Sequence, residues 1–170
     1  MAISASASAS QPSTSTGSGR SFAETLRRDP AQLAAVNAAL RDASPQQVLE
    51  WAIDHLGTSD GALAQTTAMG LTGLAATDMI SRISRRRHKL AKAANADAEL
   101  RHLVPIIFLD TLYHFDETLA LINKVEKKYN VTVDIYKPQG AQSAAEFEAR
   151  YGQELWNTDE DSYDYLVKVS

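Results

Sequence analysis

The sequence predicts an α/β fold: a parallel sheet with helices on both faces, preceded by helices at the amino-terminal end. Three observations carry this expectation. Val104-Pro105-Ile106-Ile107-Phe108-Leu109 is a continuous apolar run, the pattern of a strand buried on both faces. From Leu63 to Tyr151, strand-like and helix-like spacings alternate as β-α-β-α-β-α, which implies parallel strands joined by right-handed crossovers. Ser44 and Ser143 each stand three residues before a Gln or Glu, the spacing of a capping box that opens a helix.

Residues 1–20 are almost entirely Ser, Ala, Thr and Gly, with one charge at Arg20. Such a segment has nothing to bury, and a disordered tail is expected. It lacks the early positive charge and apolar run of a secretory signal, and the several arginines of a mitochondrial presequence. No stretch approaches the about 18 apolar residues of a membrane span, so the reading is a cytoplasmic protein without a membrane segment.

Residues 21–57 read as helices. One runs from about Pro30 to Leu40, with Leu33, Val36, Asn37 and Leu40 on one side. The next opens at Ser44-Pro45-Gln46-Gln47, with Pro at the first helical position. Val48, Leu49, Ala52, Ile53 and Leu56 share its apolar face, and Gly57 stops it.

From residue 58 onward the alternating part begins. Leu63–Ala68 reads as a strand, Met69–Gly73 as a turn, and Leu74, Ala75, Met79, Ile80 and Ile83 as one face of a helix. Arg82, Arg85, Arg86, Arg87, Lys89 and Lys92 follow without an acid between them. No aromatic is interleaved with these cations, which speaks for a solvated helix end rather than a nucleic-acid surface. Asp110-Thr111 ends the buried strand. A helix from about Phe115 to Tyr129 then places Phe115, Leu119, Ile122, Val125 and Tyr129 inward. Val131–Tyr136 alternates as a third strand, and Ser143 opens a helix carrying Phe147 and Tyr151. The acidic segment from Glu154 to Asp164, around Trp156, Tyr163 and Tyr165, reads as solvated and locally helical.

Composition limits the chemistry. The chain has 170 residues, 44% hydrophobic and 22% charged, which suits one globular domain. Lys and Arg number 17 against 21 Asp and Glu, a net charge of -4 that argues against a general nucleic-acid binder. Cysteine is absent. No disulfide, zinc-thiolate site, iron-sulfur cluster or cysteine nucleophile can be built from these residues. The four histidines have no ligand-spaced partners.

In an open α/β sheet, ligands bind outside the carboxyl ends of the strands. That rule singles out the loops at residues 65–73, 110–114 and 137–142. In the first, Thr66, Thr67 and Thr72 supply hydroxyls, and Gly70 and Gly73 allow close backbone approach. The following helix adds its positive end, a favourable place for phosphate or sulfate. The alternative is a helix start with two packing glycines. Asp110 could accept from a ribose hydroxyl or adenine amine, or cap the next helix; His114 could be a general acid or base, or a packing residue.

Four strings together resemble a known family: Gln65-Thr-Thr-Ala-Met-Gly-Leu-Thr-Gly73, Phe108-Leu-Asp-Thr-Leu-Tyr-His-Phe115, Tyr151-Gly-Gln-Glu-Leu-Trp156 and Tyr163-Asp-Tyr-Leu-Val-Lys-Val169. In order and spacing, from about Ser44 to the last residue, they are similar to the assimilatory phosphoadenosine phosphosulfate reductases. The resemblance implies an adenine nucleotide α-hydrolase-like (PP-loop, Rossmann-like) doubly wound sheet, here a partial nucleotide-binding domain over residues 58–170. It implies reduction of 3'-phosphoadenosine 5'-phosphosulfate to sulfite with release of adenosine 3',5'-bisphosphate. Reduced thioredoxin would be the electron donor, with no bound cofactor and no metal, and a homodimer stays open. By the same resemblance Thr66, Thr67, Gly70, Thr72 and Gly73 surround the sulfate and phosphates, Asp110 and Thr111 border the nucleotide pocket, and Lys168 lies near the reacting sulfur.

The departures from the family pattern matter too. Thr66-Thr67 replaces the more usual serines and keeps the hydroxyls; Asp116 stands where proline is common. Members of the family continue past the Lys-Val pair with further strands, an arginine-containing loop and a Glu-Cys-Gly-x-His segment whose cysteine attacks the sulfur. The 170 residues lack that segment. The expectation is therefore an amino-terminal, catalytically incomplete portion, with a sheet edge and helix faces left uncovered. Two alternatives stand beside it: a nucleotidyl transferase or ATP pyrophosphatase of the same fold, although the turn lacks the Asp of their Ser-Gly-Gly-x-Asp-Ser pattern, and a non-catalytic nucleotide-binding fragment.

Overall fold

The computed structural model describes residues 22–57, 63–94, 100 and 102–168. The expected tail at residues 1–20 and the terminal pair Val169 and Ser170 lie outside them. Three parallel strands, β1 (Gln65–Thr66), β2 (Ile106–Leu109) and β3 (Val133–Tyr136), form one sheet in the order β1-β2-β3. Gln65 is in register with Ile106 and Thr66 with Ile107; Ile106 to Leu109 pair in turn with Val133 to Tyr136. The parallel α/β architecture is thus the one the alternation implied.

Among the described residues three helices precede the sheet: α1 (Phe22–Arg28), α2 (Pro30–Leu40) and α3 (Pro45–Leu56). The helix α3 starts as its sequence dictates. Ser44 Oγ accepts from the Gln47 amide at 3.3 Å, Gln47 Oε1 accepts from the Ser44 amide at 2.8 Å, and the Gly57 amide closes the last turn on the Ile53 carbonyl. In α2, by contrast, no residue is buried, and Leu33 is exposed despite the apolar side the spacing suggested. Asp29 caps that helix instead, accepting from Ala31 and Gln32 amides at 3.0 Å.

The crossover from β1 to β2 is α4 (Leu71–Ala94), and that from β2 to β3 is α5 (Asp116–Tyr129). Buried Ile106 and Phe108 from β2 meet Met69, Ile122, Val125 and Val133 in the principal core, with Leu74, Tyr129 and Val131 packed at its border. A second cluster joins Ile53 of α3 to Ile80 and Ile83 of α4 and to Val104. The basic run lies on the exposed carboxyl-terminal part of α4, as a solvated helix end implies, and three of its arginines form ion pairs: Arg82 with Asp78 at 2.7 Å, Arg87 with Asp54 at 2.7 Å, and Arg86 with Glu50. Long side chains on α4 thereby clamp α3.

Three further expectations need correction. Phe115 does not face inward; it is the N-cap of α5 and 79% exposed, because the helix begins one residue later and only Ile122 and Val125 of the predicted stripe are buried. The box at Ser143 is one-sided. Ser143 Oγ accepts from the Glu146 amide at 3.3 Å, but Glu146 Oε2 takes the Gln142 amide at 2.8 Å. The acidic segment is not simply solvated. After α6 (Ala144–Tyr151) come α7 (Leu155–Thr158) and α8 (Glu160–Lys168), and Leu155, Tyr163, Leu166 and Val167 pack with Ala141, Phe147, Leu112 and Tyr113 in a third cluster. Trp156 joins it edge-on to Tyr113, ring centroids 4.6 Å apart. Glu154, Asp159, Glu160 and Asp161 are exposed while Tyr163 is half-buried, so the run of charge hid the packing; Tyr165 alone of the three aromatics stays outside the cluster.

Candidate functional site

The carboxyl ends of β1, β2 and β3 carry the three loops singled out from the sequence. The Thr67 amide donates to the Ile107 carbonyl at 3.0 Å, which is the last ladder contact before the chain leaves β1. It then turns through Met69, whose φ of 61° is left-handed. Thr67 Oγ1 accepts from the Met69 amide at 3.0 Å and stabilises this turn. The helix α4 begins immediately, with the Leu74 amide bonding the Gly70 carbonyl at 3.0 Å. The first amides of such a helix have no partner within it and carry the positive end of its dipole.

Gly73 lies against Thr67: a Cβ there would overlap Thr67 Oγ1 and come within 3.1 Å of Thr67 Cβ. Its glycine is therefore required by close packing, the bland alternative for that position. Gly70 is different, because open space surrounds the place of its missing side chain. Gln65 ties the turn to its helix. Its Nε2 donates to the Gly73 carbonyl at 2.8 Å and to Thr77 Oγ1 at 2.9 Å, and Thr77 Oγ1 donates to the Gly73 carbonyl at 3.0 Å. Sequence reasoning passed over Gln65 and Thr77. A polar side chain in a strand followed by a hydroxyl one turn into the next helix was the available signal.

A cleft of about 220 Å³ opens at this point, lined by Thr66, Thr67, Ala68 and Leu109. It joins the end of β1 to the end of β2. Just past Leu109, buried Asp110 accepts from the Leu112 amide at 2.9 Å through Oδ1, and Leu112 has a left-handed φ of 70°. Asp110 does not cap α5, whose N-cap Phe115 has no side-chain bond. Its Oδ2 lies 3.7 Å from Lys137 Nζ, at the end of β3. Thr111 is half-buried beside it. His114 packs on Phe108, ring centroids 4.7 Å apart, and its Nε2 donates to the Leu109 carbonyl at 3.1 Å, so the packing role is the one the geometry gives.

Lys168 ends α8, exposed, with Nζ 2.6 Å from Asp164 Oδ1 one turn earlier. It does not share the cleft, although its neighbour Val167 packs in the same cluster as Leu112 and Tyr113. In that cluster Tyr113 Oη donates to Glu148 Oε1 at 3.3 Å; burial, and then the Glu148 charge, push the phenol up to about 12. Thr66, Thr67, Gly70, Thr72, Gly73, Asp110 and Thr111 are thus brought to one end of the sheet, and Lys168 stands apart. Among the described residues no group of three or more His, Asp or Glu could hold a metal ion, and no helix is long and apolar enough to cross a membrane.

A strand, a hydroxyl-rich turn and a long helix thus lie beside an aspartate at the next strand end. The sequence model described as the phosphoadenosine phosphosulfate reductase domain matches residues 62–170. The chain belongs to this family. It is 42% identical over 130 residues to the phosphoadenosine phosphosulfate reductase of Saccharomyces cerevisiae, covering 74% of this chain and 43% of that protein. The corresponding reductase of Emericella nidulans is 41% identical over 135 residues, covering 79% of this chain and 39% of that protein. Among solved structures, the phosphoadenylyl-sulfate reductase of Candida auris, crystallised as a phosphate complex, is similar at a TM-score of 0.62 and 38% identity, over 90% of this chain and 61% of that one. The chain therefore spans less than half the length of these two curated relatives.

Proposed function

We propose that this chain forms the substrate cradle of a thioredoxin-dependent phosphoadenylyl-sulfate reductase acting in sulfate assimilation in the cytoplasm. The observation that carries the reading is the position of Thr66, Thr67 and Ala68 beside Leu109, in a cleft where the chain passes from β1 into α4. Hydroxyls and the amino end of a 24-residue helix there favour an anion. In this reading Thr66, Thr67, Gly70, Thr72 and Gly73 hold the sulfate and phosphates of 3'-phosphoadenosine 5'-phosphosulfate, while Asp110 and Thr111 border the nucleoside. The crystallisation of the Candida auris relative as a phosphate complex is in keeping with an anion-binding fold.

Reduction needs a thiolate to attack the sulfonate sulfur. The sulfur–oxygen bond to the nucleotide breaks, adenosine 3',5'-bisphosphate leaves, and reduced thioredoxin releases sulfite from the resulting thiosulfonate. Lys168 would stabilise charge developing on the sulfonate oxygens if α8 moved its ammonium off Asp164. The thiolate itself is not supplied by these 170 residues, which contain no cysteine. Serine and threonine hydroxyls cannot perform that redox step. This favours nucleotide binding without turnover for the chain by itself, as a monomer or as a homodimer.

Calorimetric titration with adenosine 3',5'-bisphosphate tests the cradle, with saturable binding weakened by Thr66→Val or Thr67→Val as the expected result. Absence of binding would sink the proposal. Incubation with the sulfonucleotide and reduced thioredoxin is expected to give no sulfite, and sulfite release would overturn the reading of binding without turnover. Pyrophosphate release from ATP would instead support the nucleotidyl transferase alternative.

A further inference from the structure

The structure assigns a cation to the strand ends, and we propose that Lys137 binds an anionic group of the nucleotide there, with Asp110 as its positioning residue. This inference rests on the nucleotide reading above. Lys137 follows directly on β3, and its side chain returns over the end of β2, where Nζ comes to 3.7 Å from Asp110 Oδ2 and donates to the Gln142 carbonyl at 3.3 Å. The carboxylate is 8% exposed and the lysine 34%. An ammonium has three donors. Among the described residues Gln142 is its only hydrogen-bond acceptor, since 3.7 Å to Asp110 is an ion pair without a hydrogen bond.

The loop that carries Lys137 is fixed. Ala141 is fully buried against Phe147, Tyr151 Oη donates to the Gln139 carbonyl at 3.3 Å, and Glu146 takes the Gln142 amide at 2.8 Å. A lysine held this way is preorganised rather than freely solvated, which lowers the entropic cost of using it. Electrostatics give the second reason. Asp110 places a buried negative charge next to the end of β2, where it would repel a phosphate or sulfate held at the neighbouring turn. Lys137 neutralises that charge and leaves donors for the incoming anion. A charge-assisted hydrogen bond to phosphate is among the stronger polar contacts available.

The test is calorimetric titration of the whole chain and of Lys137→Ala and Lys137→Arg with adenosine 3',5'-bisphosphate, adenosine 5'-monophosphate and adenosine. Lys137→Ala is expected to weaken the bisphosphate at least tenfold and leave adenosine unchanged, while Lys137→Arg keeps affinity within a few-fold. A loss shared by the monophosphate assigns the lysine to the 5' side, and a loss confined to the bisphosphate assigns it to the 3' side. Equal affinities of Lys137→Ala and the unaltered chain for both phosphorylated ligands would overturn this proposal alone. Failure of the unaltered chain to bind any of the three would overturn the nucleotide reading and this proposal with it. Thermal melts of the variants separate these outcomes from misfolding, because Lys137→Arg preserves the loop contacts, and its loss of binding with an unchanged melt would also count against the proposal.

Discussion

Thr67 and Asp110 perform the same task at the ends of adjacent strands: each accepts, through a side-chain oxygen, the amide of the residue two positions on, and that residue has a left-handed φ. The bonds are 3.0 Å to Met69 and 2.9 Å to Leu112. A non-glycine residue in this conformation costs about 1–2 kcal/mol, so the side-chain bond offsets a real local strain. It also directs both chains away from the sheet and leaves the cleft between them open.

Removing the oxygen should therefore be felt. Thr67→Val keeps the shape and loses the acceptor; a destabilisation of about 1 kcal/mol is expected, against a near-neutral Thr67→Ser. Urea denaturation of the two variants under identical conditions checks it, and equal midpoints would show that the hydroxyl does not hold the turn.

Gly73→Ala should be worse than an ordinary helix substitution, which would normally favour alanine. The new methyl overlaps the Thr67 hydroxyl, and overpacking of this kind costs about 1–3 kcal/mol. The double variant Thr67→Ala/Gly73→Ala removes the obstruction, so its loss is expected to be smaller than the sum of the two single losses. Strict additivity in a double-mutant cycle would contradict the contact.

Stability should fall on mild acidification because of His102. Its Nδ1 donates to the Val104 carbonyl at 2.6 Å, and its Nε2 is buried without a hydrogen-bond partner among the described residues. Burial lowers its pKa from the ordinary 6.5, opposed by backbone contacts at Val104 and Thr77. The unfolded chain then takes up a proton below about 6.5 that the folded chain resists. The contribution is fully present above that value and is lost as pH falls through it toward the folded pKa. Melting temperature measured from pH 7.5 to 5 is expected to drop, and His102→Gln to flatten that part of the profile.

The apolar stripe of α5 should divide into residues that matter and one that does not. Ile122 is 3% exposed in the principal core, so Ile122→Ala is expected to cost about 2–5 kcal/mol. Phe115→Ser, at a position 79% exposed, is expected to stay within about 0.5 kcal/mol. Comparable losses at the two positions would place Phe115 in a packed environment after all.

Sequence by itself determined the parallel α/β class, the start of α3 at Ser44, the run that becomes β2, and the three loops at the carboxyl ends of the strands. These depend on period, capping chemistry and strand direction, which act over a few residues. It also determined that no thiol chemistry resides in these residues, because that is a matter of composition. Only the tertiary structure decided that Gly73 is a packing glycine, that Phe115 is outside, that the arginines of α4 clamp α3, and that Tyr113, Trp156 and Tyr163 meet in one aromatic cluster. The pairing of Asp110 with Lys137 belongs there too: 27 positions separate them in sequence, and it is the register of β2 against β3, Leu109 beside Tyr136, that sets their side chains together.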